Sequence, residues 1–314
     1  VGDRPHLRDL ASRLTSVAEE CRGAECEHRR RCFLQRARRQ ALAADVVVAN
    51  HAVVFSEMAN PLASPVLPPY RQIILDEAHN LEDAVTSAMS REVSMRRARF
   101  VLSRLLRSGT RRRARGLIPS LHWQIGRLRG VEAGLRAEVL AAVEAAGHAV
   151  RACDAELGPF FLAMAGLLAA SGEVQACRID PTRRDPARWP TVEAAKDRLV
   201  ETLAATARTV TALADALVRL GEPLQEALAE FDRELRAAAL RLGEFSHDTA
   251  AVLGASEPGW VCWVEPAPPL QGGAQAWGAP IHVGALMNEQ LYAVRRSVVF
   301  TSATMTVNGS PDFV

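Results

Sequence analysis

Four short, unbroken apolar runs set the terms on which this chain can fold. They are Val46-Val47-Val48-Ala49, Ile73-Ile74-Leu75, Trp260-Val261-Cys262-Trp263-Val264 and Ser297-Val298-Val299-Phe300. Continuous β-branched runs of this length suit strands buried on both faces, as in a parallel sheet. Three of the runs hand over directly to polar clusters. Asn50-His51 comes after the first, Asp76-Glu77-Ala78-His79 after the second and Thr301-Ser302-Ala303-Thr304 after the fourth. In open parallel α/β sheets, ligands bind beyond the carboxyl ends of the strands. The three clusters are therefore expected to converge on one edge of a parallel sheet.

Between the second and third runs lies a long insertion, residues 81–257, rich in Ala, Leu and Arg. Leu199, Leu203, Val210, Leu213, Leu217 and Leu220 recur at helical spacing, and the series resumes with Leu224, Leu228, Phe231 and Leu235. Such spacing marks an amphipathic stripe that packs a core. Gly221-Glu222-Pro223 supplies a helix stop and a helix start, so the two stripes read as an αα-hairpin. Arg183 to Pro190 is a second break, and the Pro/Gly-rich stretch 265–280 reads as a loop. Residues 1–45 read as helix, cysteine-containing loop, then helix over 33–44.

Composition narrows the class. The chain is 314 residues long, 48% hydrophobic and 24% charged, with a formal net charge of +2. That is too apolar for a disordered chain. No apolar run reaches the roughly 18 residues a bilayer span needs, so no membrane crossing is expected. Residues 1–10 are charged and lack the apolar core of a signal peptide. Of the 38 Lys and Arg, only Lys196 is lysine. A phosphate-binding P-loop needs a lysine after a glycine-rich turn. Lys196 sits in Glu193-Ala194-Ala195-Lys196-Asp197, so the chain contains no P-loop. Val1 is not an initiator, and Gly309-Ser310-Pro311-Asp312-Phe313-Val314 supplies no closing element. The chain is read as part of a longer protein.

Asp76-Glu77-Ala78-His79 after an apolar strand is an arrangement suited to nucleotide hydrolysis. An Asp at a strand end can hold Mg²⁺, and its Glu neighbour can orient and deprotonate water. Thr301 to Thr304, after the fourth run, could cap a helix or sense the nucleotide. Cys21, Cys26 and Cys32 lie within twelve residues, spaced C-x4-C-x5-C. Without a secretory signal, metal binding is favoured over disulfides. An iron–sulfur cluster wants four thiolates, so a fourth would come from outside the chain. Zinc held by the three cysteines and His28 is the rival. Cys153, Cys177 and Cys262 read as incidental. Arg22, Arg29, Arg30, Arg31, Arg36, Arg38 and Arg39 surround the cysteines against only Glu25 and Glu27, which suits nucleic-acid contact. Residues 91–115 carry ten Arg and one acid, Glu92, which reads either as a solvated face or as a phosphate-contacting strip.

In combination and order these motifs resemble the iron–sulfur superfamily 2 DNA helicases of the DinG/XPD group, most of all the bacterial DinG/YoaA-like branch. The resemblance runs through Cys21, Cys26, Cys32-Phe33, then Ala44 to His51, then Ile74 to Asp83. It closes with Pro280-Ile281-His282-Val283 and Ser297 to Thr304. It implies an α/β fold: part of a RecA-like parallel-sheet motor domain, a large all-helical insertion called the arch, and a cysteine-containing cluster segment. The implied domains are residues 1–44 (end of the cluster domain), 45–83 (motor domain 1), 84–257 (arch) and 258–314 (motor domain 1 continued).

The resemblance further implies that Cys21, Cys26 and Cys32 bind a [4Fe-4S] cluster whose remaining ligand lies upstream. Asp76, as Mg²⁺ ligand, and Glu77 would be the Walker B pair, with His79 among the catalytic residues and Ser302 and Thr304 in the motif coupling ATP hydrolysis to DNA movement. Arg29, Arg30, Arg36, Asn50 and His51 would contact DNA. The implied whole protein is a cytoplasmic, nucleoid-associated, ATP-dependent 5′→3′ helicase. It would act in repair or replication on single-stranded or forked DNA, beside single-strand-binding or replication proteins. With no Walker A lysine and no second motor domain, this chain alone is expected to be inactive. Met305 stands where Leu is usual. The alternative is a zinc-containing, Arg-rich DNA-binding module without motor activity.

Overall fold

Of the four apolar runs, only two pair with each other. The structure, a computed structural model, describes residues 26–59, 66–107, 115–171, 176–222, 224–268 and 273–303. In chain order its elements begin with α1 (Phe33–Ala43), α2 (His51–Ala59), β1 (Gln72–Leu75) and α3 (Leu81–Met89). Next come β2 (Arg91–Val93), α4 (Met95–Leu105), α5 (Leu117–Arg127), α6 (Ala133–Ser171) and β3 (Cys177–Ile179). The remainder are α7 (Trp189–Val218), α8 (Leu224–Gly254), β4 (Trp260–Pro266), β5 (Ala274–Pro280), α9 (Gly284–Met287) and β6 (Ser297–Phe300). The chain forms two compact units, Val1–Ser90 with Ala279–Val314, and Arg91–Gly278. The division falls at different places from the sequence boundaries of 84 and 257.

In the first unit β1 and β6 lie parallel, Leu75 opposite Phe300. A core of Val54, Phe55, Leu75, Ala78, Leu81, Val85, Val283, Met287 and Leu291 joins α2, α3 and α9 to one side of this pair. The expectation of strands buried on both faces is corrected by this packing. Ile74 is 70% exposed, so among the described residues the pair is covered on one face. The first run is corrected as well. Residues 46–49 form no strand and pair with none among the described residues, and Val48 is 95% exposed. A β-branched run makes a strand only where a neighbour accepts its backbone groups.

The second unit is built on the expected αα-hairpin. Leu199, Leu203, Val210, Leu213 and Leu217 of α7 and Leu228 and Leu235 of α8 are buried in one core, with Leu224 and Phe231 packed at its border. Gly221, at φ +69, makes the turn between them. α6 adds Val139, Val143, Val150, Leu157 and Phe160. This helix is long and apolar enough to cross a membrane by length and composition alone, a test that a core helix also passes. Its apolar side instead packs the bundle.

The insertion is not all-helical. A four-stranded sheet of order β2-β5-β4-β3 closes the bundle, with β2 antiparallel to β5 and β3 antiparallel to β4. Two expectations are corrected by it. The run Trp260 to Val264 becomes β4 of this sheet rather than a parallel strand, and the supposed loop 265–280 contains β5. Alternation explains the first: Cys262 and Val264 enter the core, whereas Trp263 and Glu265 face the other way. Small side chains explain the second. Val93, Ala274 and Ala276 line the inner face, and Gly278 lies so close to α8 that a Cβ would sit 3.0 Å from Val252 Cγ2. β5 is silent in the sequence because Gly and Ala, poor strand formers, are used for close packing.

Two arginines of the Arg-rich stretch follow neither of its two readings. Arg91 donates to Glu257 at 2.7 Å and lies over the Trp260 ring at 4.1 Å. Arg97 donates to Asp248 at 2.6 Å. These two tie β2 and α4 to α8 and β4. Arg96 and Arg99 stay on the surface.

Candidate functional site

The parallel register of β1 and β6 brings the carboxyl ends of the two strands to one level. Because Leu75 and Phe300 are partners, Asp76 and Thr301 leave the sheet side by side. Thr301 N–H donates to Leu75 O at 2.9 Å, and Ala78 N–H donates to Thr301 O at 2.9 Å. The two motifs are thereby stitched together through backbone before any side chain is considered.

Glu77 adopts the left-handed conformation, φ 52 and ψ 47, unusual for a residue with a side chain. That geometry costs on the order of 1–2 kcal/mol. It turns the chain from β1 into a 3₁₀ turn over Ala78–Asn80, closed by Asn80 N–H to Glu77 O at 2.9 Å. Buried Ala78 and Leu81 hold that turn on the core, which leaves Glu77 and His79 in solvent. Backbone strain held in place by surrounding packing is a hallmark of functional sites.

The side chains complete the link. Thr301 Oγ1 donates to Asp76 Oδ1 at 2.5 Å. His79 Nδ1 lies 2.7 Å from Ser302 Oγ and 3.3 Å from Glu77 Oε2. The Asp76 carboxyl is held below its usual range by the Thr301 hydroxyl first, then by the Glu77 backbone N–H and the nearby His51 charge. It is thus an anion at neutral pH, with one oxygen engaged by Thr301. A strand-end carboxylate of this kind suits a hard cation.

Asp76, Glu77, His79 and Ser302 are accordingly brought together, while Thr304 and Cys21 lie outside the described residues. Thr301 is a site residue that the motif reading passes over, although its signal is present. It is the first residue after its strand, as Asp76 is after the other. Asn50 turns out to cap α2, its Oδ1 accepting from Val53 N–H at 3.0 Å. His51 opens α2, its ring 5.9 Å from that of Phe55, within electrostatic reach of Asp76.

The cysteine turn is a separate feature. Cys26 and Cys32 are half-buried free thiols at its two ends. Arg29 N–H donates to Cys26 O at 2.9 Å, and Cys32 N–H to His28 O at 2.9 Å. Cys32 then leads into α1, which has no buried residue. Arg29, Arg30 and Arg39 line an open depression with Cys26 and Glu27, and the Arg36 guanidinium sits 5.1 Å over Phe33. His28 Nε2 lies 3.4 Å from Glu27, both well exposed, and among the described residues no three His, Cys, Asp or Glu side chains gather as a metal site.

Residues 8–97 match the DEAD_2 family. The ATP-dependent helicase DinG of Mycobacterium tuberculosis is 42% identical over 95 residues, 30% of this chain and 13% of that protein. The ATP-dependent DNA helicase YoaA of Haemophilus influenzae is 37% identical over 89 residues, 28% of this chain and 14% of its own length. YoaA of Escherichia coli is 33% identical over 85 residues, 26% and 13% respectively. The aligned stretch is therefore a small part of each relative. Over it, the resemblance to DinG-like helicases read from the motifs is borne out.

Proposed function

We propose that this chain is part of an ATP-dependent 5′→3′ DNA helicase of the DinG/YoaA type, acting in cytoplasmic DNA repair or replication. The observation that carries this reading is the double link from Asp76-Glu77-Ala78-His79 to the other strand end, Thr301 to Asp76 and His79 to Ser302. Asp76 would hold Mg²⁺ through the oxygen that Thr301 leaves free. Glu77 would take the proton from water attacking the γ-phosphate of ATP. A change in nucleotide state would reach Ser302, and through it Thr304, by way of His79. The Arg91–Gly278 body would be the arch along which single-stranded or forked DNA passes. Arg29, Arg30 and Arg36 would contact phosphates, and Asn50 and His51 would contact DNA, His51 from within electrostatic reach of Asp76. Replication or single-strand-binding proteins would be the natural neighbours.

For a [4Fe-4S] cluster, the donor chemistry fits. Cys26 and Cys32 are free thiols bracketing one turn, and with Cys21 they form an all-sulfur set of three, as such clusters prefer. These residues would hold the cluster together with a thiolate from elsewhere in the protein. When bound, the cluster would cross-link the turn and fix the arginines around it.

The test is Glu77→Gln in the full-length protein. ATP turnover should fall roughly 10²- to 10⁴-fold, the usual contribution of a general base, while DNA binding persists. Undiminished hydrolysis would remove Glu77 from the role. Iron analysis of anaerobically purified full-length protein should give about four Fe per chain, and zinc in its place would favour a binding module.

A further inference from the structure

We infer that the outer face of the four-stranded sheet in the Arg91–Gly278 unit is a base-stacking platform for single-stranded nucleic acid, built on Trp263 and Trp277. Alternation along β4 and β5 sends Cys262, Val264, Ala274 and Ala276 into the core and turns Trp263, Glu265 and Trp277 to the opposite face. The two indole rings lie near-parallel, 18° apart, with centroids 6.5 Å from each other.

Glu265 fixes both rings. It accepts from Trp263 Nε1 at 3.0 Å, from Trp277 Nε1 at 2.9 Å and from Gln275 Nε2 at 2.8 Å. Three neutral donors fill acceptor sites on one carboxylate and use up the polar edges of both indoles. Both indoles are part-buried, and what they leave open to solvent is already oriented. A cation stands beside them. Arg178 of β3 is the register partner of Trp263, so its side chain leaves the same face of the sheet. It is exposed. Flat apolar rings held rigid next to an exposed guanidinium match a planar group carried on an anionic backbone, which describes a nucleotide strand. Stacking of this kind is sequence-tolerant, because every base has a π-face.

This inference extends the DNA-binding part of the proposed function and does not depend on the nucleotide site. Its test uses the full chain, without ATP, and monitors tryptophan fluorescence. The probe is oligothymidylate of about a dozen nucleotides, against an abasic oligomer of equal length and charge. Oligothymidylate should quench the fluorescence and bind at least roughly 10-fold tighter than the abasic strand. Trp263→Leu and Trp277→Leu should each weaken binding about 5- to 100-fold, with loss of quenching. Arg178→Gln, a surface change that leaves the fold alone, should weaken binding and lower the slope of log affinity against log salt by about one. Equal binding of the abasic strand, or retained affinity and quenching in the double tryptophan variant, overturns the inference. The Glu77→Gln protein should still show the quenching. Quenching with unaffected ATP turnover in that variant would sink the hydrolytic assignment alone.

Discussion

The two sheets of this protein present chemistry in different ways. In the β1–β6 pair the reactive groups stand at the strand ends, because parallel strands in register release consecutive residues at the same level. Asp76 and Thr301 meet for that reason. In the β2-β5-β4-β3 sheet the distinctive groups stand on a face, where cross-strand neighbours come from distant parts of the chain. Arg178 and Trp263 meet there across a separation that contains two whole helices. In both sheets the partners come from distant parts of the chain, but at each strand end the reactive residues form one continuous string, whereas on a face they alternate with core residues.

The largest expected effect tests whether that division is also one of labour. Glu77→Gln in the full-length protein should cost roughly 10²- to 10⁴-fold in ATP turnover. Trp263→Leu in the same protein should leave turnover without added DNA within about twofold of normal, since stacking contributes to binding alone. Steady-state phosphate release measures both. A reversal, with the tryptophan variant inactive and the glutamate variant normal, would break the comparison.

That contrast also explains which features are legible in the sequence. The Asp-Glu-Ala-His and Thr-Ser-Ala-Thr motifs can be read because each is a continuous string after a strand. The Leu stripe of α7 and α8 can be read because burial repeats at helical spacing. β5 cannot, since Ala276 and Gly278 are small for the sake of packing against the bundle and so imitate a loop. Residues 46–49 mislead in the opposite direction. Their composition is that of a strand, but no partner strand meets them among the described residues. Pairing is a property of two segments, and no single segment declares it.

Stability should sharpen the same comparison. Leu203 is fully buried where α7 meets its neighbours. Leu203→Ala should destabilise the chain by about 2–5 kcal/mol in denaturant unfolding, the range for large-to-small core changes. Gly278→Ala should cost about 1–3 kcal/mol, because the added methyl presses on Val252 at 3.0 Å. A neutral Gly278→Ala would mean that α8 can move away from β5 freely, and the outer face would then rest on a softer base than the Trp263–Trp277 geometry requires.

The smallest effect is confined to one carboxyl. Thr301→Val removes the hydroxyl that donates to Asp76 while keeping its shape. That hydrogen bond is the largest of the causes holding the Asp76 carboxyl below its ordinary value of 3.8. A lowered carboxyl stabilises the fold above the unfolded value and loses that contribution as pH falls through the folded one. The wild-type carboxyl should therefore reach half-protonation only below pH 3.8, and the variant should titrate closer to that value. Carbon-detected NMR of the Asp76 carboxyl monitors both. An unchanged titration would mean that the Glu77 N–H and His51 suffice to hold the anion. The tie between the two strand ends would then rest on the backbone bonds and the His79–Ser302 contact.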